Sequence, residues 1–314
     1  MGKSPKVSVI IPVYNQAQFI DKAIESVLKQ SYRDFEMIII NDGSTDKTES
    51  IIKGFKDLRI RYISHEKNLG ISEARNTGIR ACLGKYIAFL DADDEYLPEK
   101  LALQVECLRK KSSDVGVVCA WSFNMDEKGN VFSKRFIPKK GGYIFEELLS
   151  TNPMSVPTLL IRKECFKKVG LFDSALDGQE DWDMWIRIAK YYQFSLIKIP
   201  LAKRRIHPNR MSYRLDKKVI TAQTIIRKHI DELKIRKNIH SKHYFYIGLR
   251  CCRIGKTEIA RKYISKAISL YPFYFYYYIL FILSYLGSKG FVVLVKLIRL
   301  LKNRIVKLMN RKTK

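Results

Sequence analysis

Short apolar runs and amphipathic stretches alternate along the front of the chain. Val7-Ser-Val-Ile-Ile-Pro-Val13 is apolar almost throughout, the pattern of a strand buried on both faces. From Gln18 to Gln30, Phe19, Ile20, Ala23, Ile24, Val27 and Leu28 recur at helical spacing. Phe35–Ile40 predicts a second strand, and Asp46-Lys-Thr-Glu49 has the spacing of a capping box opening a helix through Phe55. Ile60–Ile63 predicts a third strand, Ile71–Leu83 a third helix and Tyr86–Leu90 a fourth strand; a helix with Pro98 near its first turn and a fifth strand, Val115–Ala120, follow. This alternation predicts βαβ units: an α/β fold with a mostly parallel sheet and helices on both faces. Ligands of such sheets lie outside the carboxyl ends of the strands, so strand-end residues are the first candidates for chemistry.

From about Tyr143 the rhythm changes to helices and loops. Tyr244–Pro272 fits one tetratricopeptide-like helical hairpin, with Tyr244, Gly248, Gly255, Ala260, Ala267 and Pro272 near the expected places; stable arrays need several copies. The apolar run 273–286, FYFYYYILFILSYL, is bracketed by Pro272 and Gly287. As a helix it is about 21 Å long, short of the roughly 30 Å hydrocarbon core of a bilayer. Beyond Gly290 the chain is basic and apolar with no acid. Residues 273–308 therefore read as helices lying in a membrane interface, with packing on the main domain or a partner chain as the alternative. The division expected is an α/β domain over 1–215 and a basic helical region over 216–314.

Charge sharpens that division. The formal net charge is +27, yet Lys203–Lys314 holds 28 Lys and Arg against four acids, and the preceding 202 residues 30 against 27. A nearly neutral front and a strongly basic tail point to a polyanion as the tail's partner, an anionic membrane face or a nucleic acid. Nothing in the tail matches a nucleic-acid module such as a zinc finger. Six cysteines (Cys82, Cys107, Cys119, Cys165, Cys251, Cys252) form no CxxC pair and read as reduced thiols. The start, MGKSPK, has neither a signal peptide's apolar core nor a myristoylation pattern, so a cytoplasmic protein is expected.

Three strand ends carry polar clusters: Pro12-Val-Tyr14-Asn15, Asn41-Asp42-Gly-Ser-Thr-Asp46 and Asp91-Ala-Asp93-Asp94-Glu95. Each alone could be a turn with Asp or Ser caps. Converging on one sheet edge, they combine helix N-termini suited to phosphate with acids suited to a hard divalent cation. A bound cation would also explain four acids within five residues.

The segments VSVIIPVYNQAQFIDKAIESVLKQSYRDFEMIIINDGSTDKT, NLGISEARNTGIRACLGKYIAFLDADDEY and GLFDSALDGQEDWDMWIRI, in that order, resemble a family 2 glycosyltransferase of the GT-A fold, a Rossmann-like mixed sheet, over about residues 5–215. The resemblance implies a nucleotide-sugar donor, a UDP-sugar by the family's commonest usage, and a divalent metal, Mn2+ or Mg2+. Pro12, Tyr14 and Asp42 match positions lining the nucleotide base, with Asp42 accepting from a base N–H. Arg75 and Asn76 match a pair near the nucleotide, although Arg75 could equally neutralise Asp42 or Asp91. Asp91 matches the ribose-side acid and Asp93 the metal ligand of the DxD motif; Asp94 reads as a cap of the next turn. Glu180-Asp181 matches the ED motif, with Glu180 expected to bind the nucleotide sugar and Asp181 to be the general base, planted by a helix with Trp182, Trp185, Ile186 and Ala189 on one face. A helix N-terminus lowers a carboxyl pKa, so desolvation has to offset it there. Arg205 and His207 fall in the family's late loop, which closes over the diphosphate, with His207 a further metal ligand.

The activity implied is inverting transfer of a sugar to a hydroxyl of a glycan or lipid-linked acceptor, in cell-surface polysaccharide or glycoconjugate synthesis at the inner face of the membrane. A polyprenyl phosphate acceptor is a variant that needs no base. A sugar-1-phosphate nucleotidylyltransferase wants a GxGxR loop where this chain has Val13-Tyr-Asn15. A non-catalytic membrane- or nucleic-acid-binding scaffold would be expected to have lost some of Asp42, Asp91, Asp93 and Asp181.

Overall fold

A computed structural model describes residues 4–135, 140–176, 178–207, 215–287 and 290. By internal contacts the chain divides into two units, Met1–Tyr213 and Arg214–Lys314.

The first unit is built on one sheet. β1 (Val7–Val13) and β2 (Phe35–Asn41) are buried at every position, which only apolar runs tolerate when helices cover both sheet faces. β3 (Ile60–Ser64) lies outside β2, and β4 (Tyr86–Phe89) lies on the other side of β1; these four strands are parallel. Val13 is level with Asn41, and Asn41 with Ser64, so the three strands end on one edge. α1 (Ile20–Leu28) buries Ile20, Ala23, Ile24 and Val27, the stripe that the spacing predicts. α2 is Thr48–Gly54 and α3 is Ile71–Ala81. α3 lies so close to β1 that a Cβ on Gly78 would sit 2.4 Å from Ile10 Cγ2.

The sequence misleads in four places. The sheet continues past β4 through β8 (Leu160–Arg162), β6 (Val115–Met125), β9 (Gln193–Arg205) and β5 (Glu95–Tyr96), with β7 (Val131–Arg135) paired to β6. Four of its pairings are parallel and four antiparallel among the described residues, so it is mixed and not mostly parallel. The helices-and-loops region after Tyr143 contains β8 and the 13-residue β9. β9 carries Pro200 and scattered lysines, and its burial does not alternate, so it gives no period-two signal. The capping box does not form: Asp46 Oδ1 accepts from the Thr48 amide and Oδ2 from Ala17, while Glu49 pairs with Lys53. α4 (Lys100–Lys110) begins after Pro98, whose carbonyl accepts from Ser31. α5 (Phe145–Ser150) and α6 (Lys163–Val169) precede α7 (Glu180–Ala189), which is buried almost all round and not on one face alone.

The second unit holds α8 (Leu215–Lys228), α9 (Ile230–Lys234), α10 (Lys237–Arg253), α11 (Thr257–Leu270) and α12 (Tyr276–Leu283). α10 and α11 form a hairpin in which a Cβ on Gly248 would meet Ile264 Cγ1 at 2.7 Å. Phe245 stacks on Tyr277, tying α12 to α10. Among the described residues no helix is long and apolar enough to cross a membrane. Of the interfacial helices expected over 273–308, residues 288–289 and 291–308 lie outside the described residues. All six cysteines are free thiols, five of them buried.

Candidate active site

Parallel pairing brings the ends of β1, β2, β3 and β4 to one edge, and the loops there are laced together. Asn15, in the left-handed region at φ 50°, donates its amide to Ser44 Oγ and accepts the Thr45 amide. Gly43 (φ +70°) lies against the loop before α3, where a Cβ would be 2.6 Å from the Lys67 carbonyl carbon. Beside it Asp42 is buried, accepting at Oδ1 from His65 Nδ1 (2.7 Å) and the Leu69 amide (2.9 Å), and at Oδ2 from the Gly70 amide (2.8 Å). Pro12 is buried in β1, and Tyr14, next along, is 43% exposed.

The acidic cluster after β4 is divided among partners from the protein itself. Asp91 Oδ1 accepts from Arg75 Nη2 at 3.0 Å. Asp93 Oδ2 lies 3.0 Å from His207 Nε2. Asp94 is fully buried and accepts from the Arg205 amide at the end of β9. Glu95 pairs with Arg205 and Lys203. Asp91 and Glu95 thus have cationic partners in the protein itself. The cluster also fits a divalent cation: carboxylate oxygens of Asp91, Asp93 and Asp94 lie within 4.8 Å of one another, and His207 adds an imidazole beside Asp93.

Arg205 is buried, with Nε donating to the Asp93 carbonyl, Nη1 to the Asp126 and Glu127 carbonyls and Nη2 to Glu95, and its guanidinium over the Phe19 ring. It braces the turn that presents Asp91 and Asp93. The neighbouring late-loop residues Arg210 and Ser212 lie outside the described residues.

Arg75 joins Asp91 of the acidic cluster to the ED motif. Its buried guanidinium bridges Asp91 and Glu180, the latter at 2.5 Å, and lies over the Phe172 ring. Asn76, the next residue, brackets the Phe172 backbone, donating to its carbonyl and accepting its amide, both at 2.9 Å. Gly178 and Gln179 both have positive φ, a sharp turn that puts Glu180 and Asp181 at the first positions of α7. Asp181 Oδ1 accepts from the Trp182 amide and Oδ2 from Asn152 Nδ2. Burial first, and the adjacent Glu180 second, push its pKa up to about 6, against the lowering by Arg75. Desolvation thus prevails over the helix N-terminus, leaving a carboxylate that takes up a proton at about pH 6.

The chain matches the profile of Glycosyl transferase family 2 over residues 8–170. It is 35% identical over 255 residues to an uncharacterized glycosyltransferase of Methanocaldococcus jannaschii, with 77% of this chain and 84% of that protein covered. The chain is a family 2 glycosyltransferase.

This family 2 glycosyltransferase is also 29% identical over 246 residues to the chondroitin synthase of Escherichia coli, covering 77% of this chain and 35% of that protein. It spans 65% of a Rickettsia typhi uncharacterized glycosyltransferase, 38% identical over 211 residues. Among solved structures, S. aureus TarS 1-349 in complex with UDP-GlcNAc superposes with a TM-score of 0.65 at 18% identity, over 83% of this chain and 81% of that one. Mannosyltransferase PcManGT from Pyrobaculum calidifontis, in complex with GDP-Man and Mn2+, gives 0.60 at 17%, over 93% and 87%. These likenesses establish the GT-A fold.

Of the residues singled out from the glycosyltransferase's sequence, Tyr14 and Asp42 lie at the ends of β1 and β2, while Arg75, Asp91 and Glu180 share one ion network, with Asp181 adjoining. Asp93 and His207 are in contact with each other. His65 and Asn152 escaped sequence reasoning. His65 stands immediately after β3, so the strand-end rule applied to that strand would have found it. Asn152 lies in a loop and reaches Asp181 across 29 residues, with no local signal.

Proposed function

We propose that the chain transfers a sugar, with inversion, from a nucleotide-sugar donor to a hydroxyl of a glycan or lipid-linked acceptor in cell-surface polysaccharide or glycoconjugate synthesis. One observation carries the reading: Arg75 is bonded to both Asp91 of the DxD motif and Glu180 of the ED motif, so the two motifs belong to one network, with Asp181 beside it. Tyr14 and Asp42 line the base, Asp91 takes the ribose, and Asp181 accepts the acceptor's proton as its oxygen attacks the anomeric carbon. The raised pKa of Asp181 strengthens it as a base relative to an ordinary carboxylate. Asp93 and His207 would hold a divalent cation, Mn2+ or Mg2+, which supplies charge neutralisation for the departing diphosphate. TarS with UDP-GlcNAc and PcManGT with GDP-Man and Mn2+ give the first donors to test.

The basic C-terminal region would attach the enzyme to an anionic membrane face. Support comes from charge and from exposed apolar side chains within the second unit, Phe273 at 87%, Phe275 at 74% and Tyr285 at 65%. Pelleting with anionic but not neutral liposomes is expected, and retention on DNA without liposome binding refutes the attachment.

A panel of nucleotide sugars assayed for donor turnover with Mn2+, then with chelator, tests the activity. Asp93→Ala is expected to keep the fold by circular dichroism and lose metal-dependent donor binding. No turnover of any donor, or turnover indifferent to chelation, refutes the metal-dependent reading.

A further inference from the structure

Asp42 is the residue read above as the acceptor for a base N–H, yet most of its hydrogen-bonding capacity is already taken. A carboxylate offers about two acceptor sites per oxygen. Oδ1 fills both, with His65 Nδ1 at 2.7 Å and the Leu69 amide at 2.9 Å, while Oδ2 fills one, with the Gly70 amide at 2.8 Å. One site on Oδ2 remains, so the direction of that last lone pair decides whether a ring N–H can be read.

His65 controls that direction. Because a carboxylate only accepts, Nδ1 carries a proton, and Nε2 lies at hydrogen-bond distance, 3.0 Å, from the Thr77 hydroxyl. The ring is gripped at both nitrogens and its side chain is 11% exposed. Asp42 follows β2, His65 follows β3, and Thr77 belongs to α3, whose preceding loop also gives the Leu69 and Gly70 amides. The single β3–α3 connection therefore supplies all three hydrogen bonds to this carboxylate, and α3 holds the histidine. This is more restraint than a turn requires, and it removes rotation about the last bond of the Asp42 side chain.

We propose that His65, held by Thr77, is a positioning residue of the donor-base subsite, fixing the Asp42 carboxylate so that one lone pair of Oδ2 faces the ring N–H of the base. The inference rests on the reading of Asp42 given under Proposed function. A role confined to holding the fold would change stability and leave base discrimination intact; a positioning role changes the discrimination itself.

The test uses the full chain. UDP and GDP are titrated calorimetrically with Mn2+ present, and the tighter binder is compared with its ring-methylated analogue, blocked at uracil N3 or guanine N1. The wild type is expected to prefer the unmethylated nucleotide at least about tenfold, the scale of one hydrogen bond to a charged group. His65→Phe is expected to bind it about tenfold more weakly and lose most of the preference. His65→Asn, whose amide nitrogen falls near the place of Nδ1, should restore both; His65→Gln, whose nitrogen falls nearer Nε2, should not. A folded His65→Phe protein that keeps the wild-type preference overturns the proposal. If that variant does not fold, equal preference in the Asn and Gln variants overturns it. A wild type that binds neither diphosphate, or that ignores the methyl group, removes the base reading of Asp42 and the proposal with it; a wild type that discriminates while His65→Phe does so equally removes the proposal alone.

Discussion

Replacing Asp181 by asparagine separates the two consequences of burying a carboxylate beside Glu180. In the unfolded chain this carboxyl releases its proton near 3.8, and in the folded chain near 6. Between those values the folded state holds a proton that the unfolded state has lost, so the group's contribution to stability falls as pH rises through the window and stays low above it. The gap corresponds to about 3 kcal/mol at about 1.4 kcal/mol per pH unit. Asparagine has no charge to desolvate and can still accept the Trp182 amide, but it meets the Asn152 amide donor-to-donor, at a cost of about 1 kcal/mol. Asp181→Asn should therefore be more stable than wild type by about 1–2 kcal/mol at pH 7.5 and no more stable at pH 4. Urea denaturation of both proteins at the two pH values measures this. In parallel, turnover on a hydroxyl acceptor should drop about 10²–10⁴-fold. An equal stability difference at both pH values, or a loss at pH 7.5, refutes the electrostatic account. Full turnover in the variant refutes Asp181 as base and favours a phosphate acceptor.

The other expectations follow from buried cations. Arg75→Met leaves Glu180 buried without its guanidinium partner, and should cost about 3–5 kcal/mol in chemical denaturation. Adding Glu180→Gln should recover part of the loss, and strictly additive losses would show that the pair is not coupled. Lys100 is fully buried, its amine donating to Gln104 Oε1 and the Leu159 carbonyl, and burial pushes its pKa well below the ordinary lysine value. In the window between the lowered and the ordinary value the unfolded chain binds the extra proton, so stability rises with pH there. Comparing wild type with Lys100→Met from pH 7 to 10 should show that rise only in wild type; parallel curves refute it.

What could be read from sequence was what local pattern encodes. Val7–Val13 and Phe35–Ile40 are buried on both faces, so their apolar runs are unambiguous, and the polar residues ending them are the edge of the site. The role of Arg205 could not be read, because its partners Asp93, Glu95 and Asp126 lie 79 to 112 residues away and only the pairing of β9 with β6 and β5 brings them near. Asp94 and Glu95 were illegible for the same reason. A carboxylate cluster states its own charge locally, whereas the cations that answer it arrive through the sheet.

Adjacent residues on one turn of α3 fasten both ends of the stretch from Phe172 to Glu180: Asn76 grips the backbone of Phe172, and Arg75 the side chain of Glu180. The two anchors make this stretch a strap clamped at both ends, and a third contact, from the Ser72 hydroxyl to the Leu176 carbonyl, holds it between them, so a change that displaces α3 displaces Glu180 at the start of α7 with it.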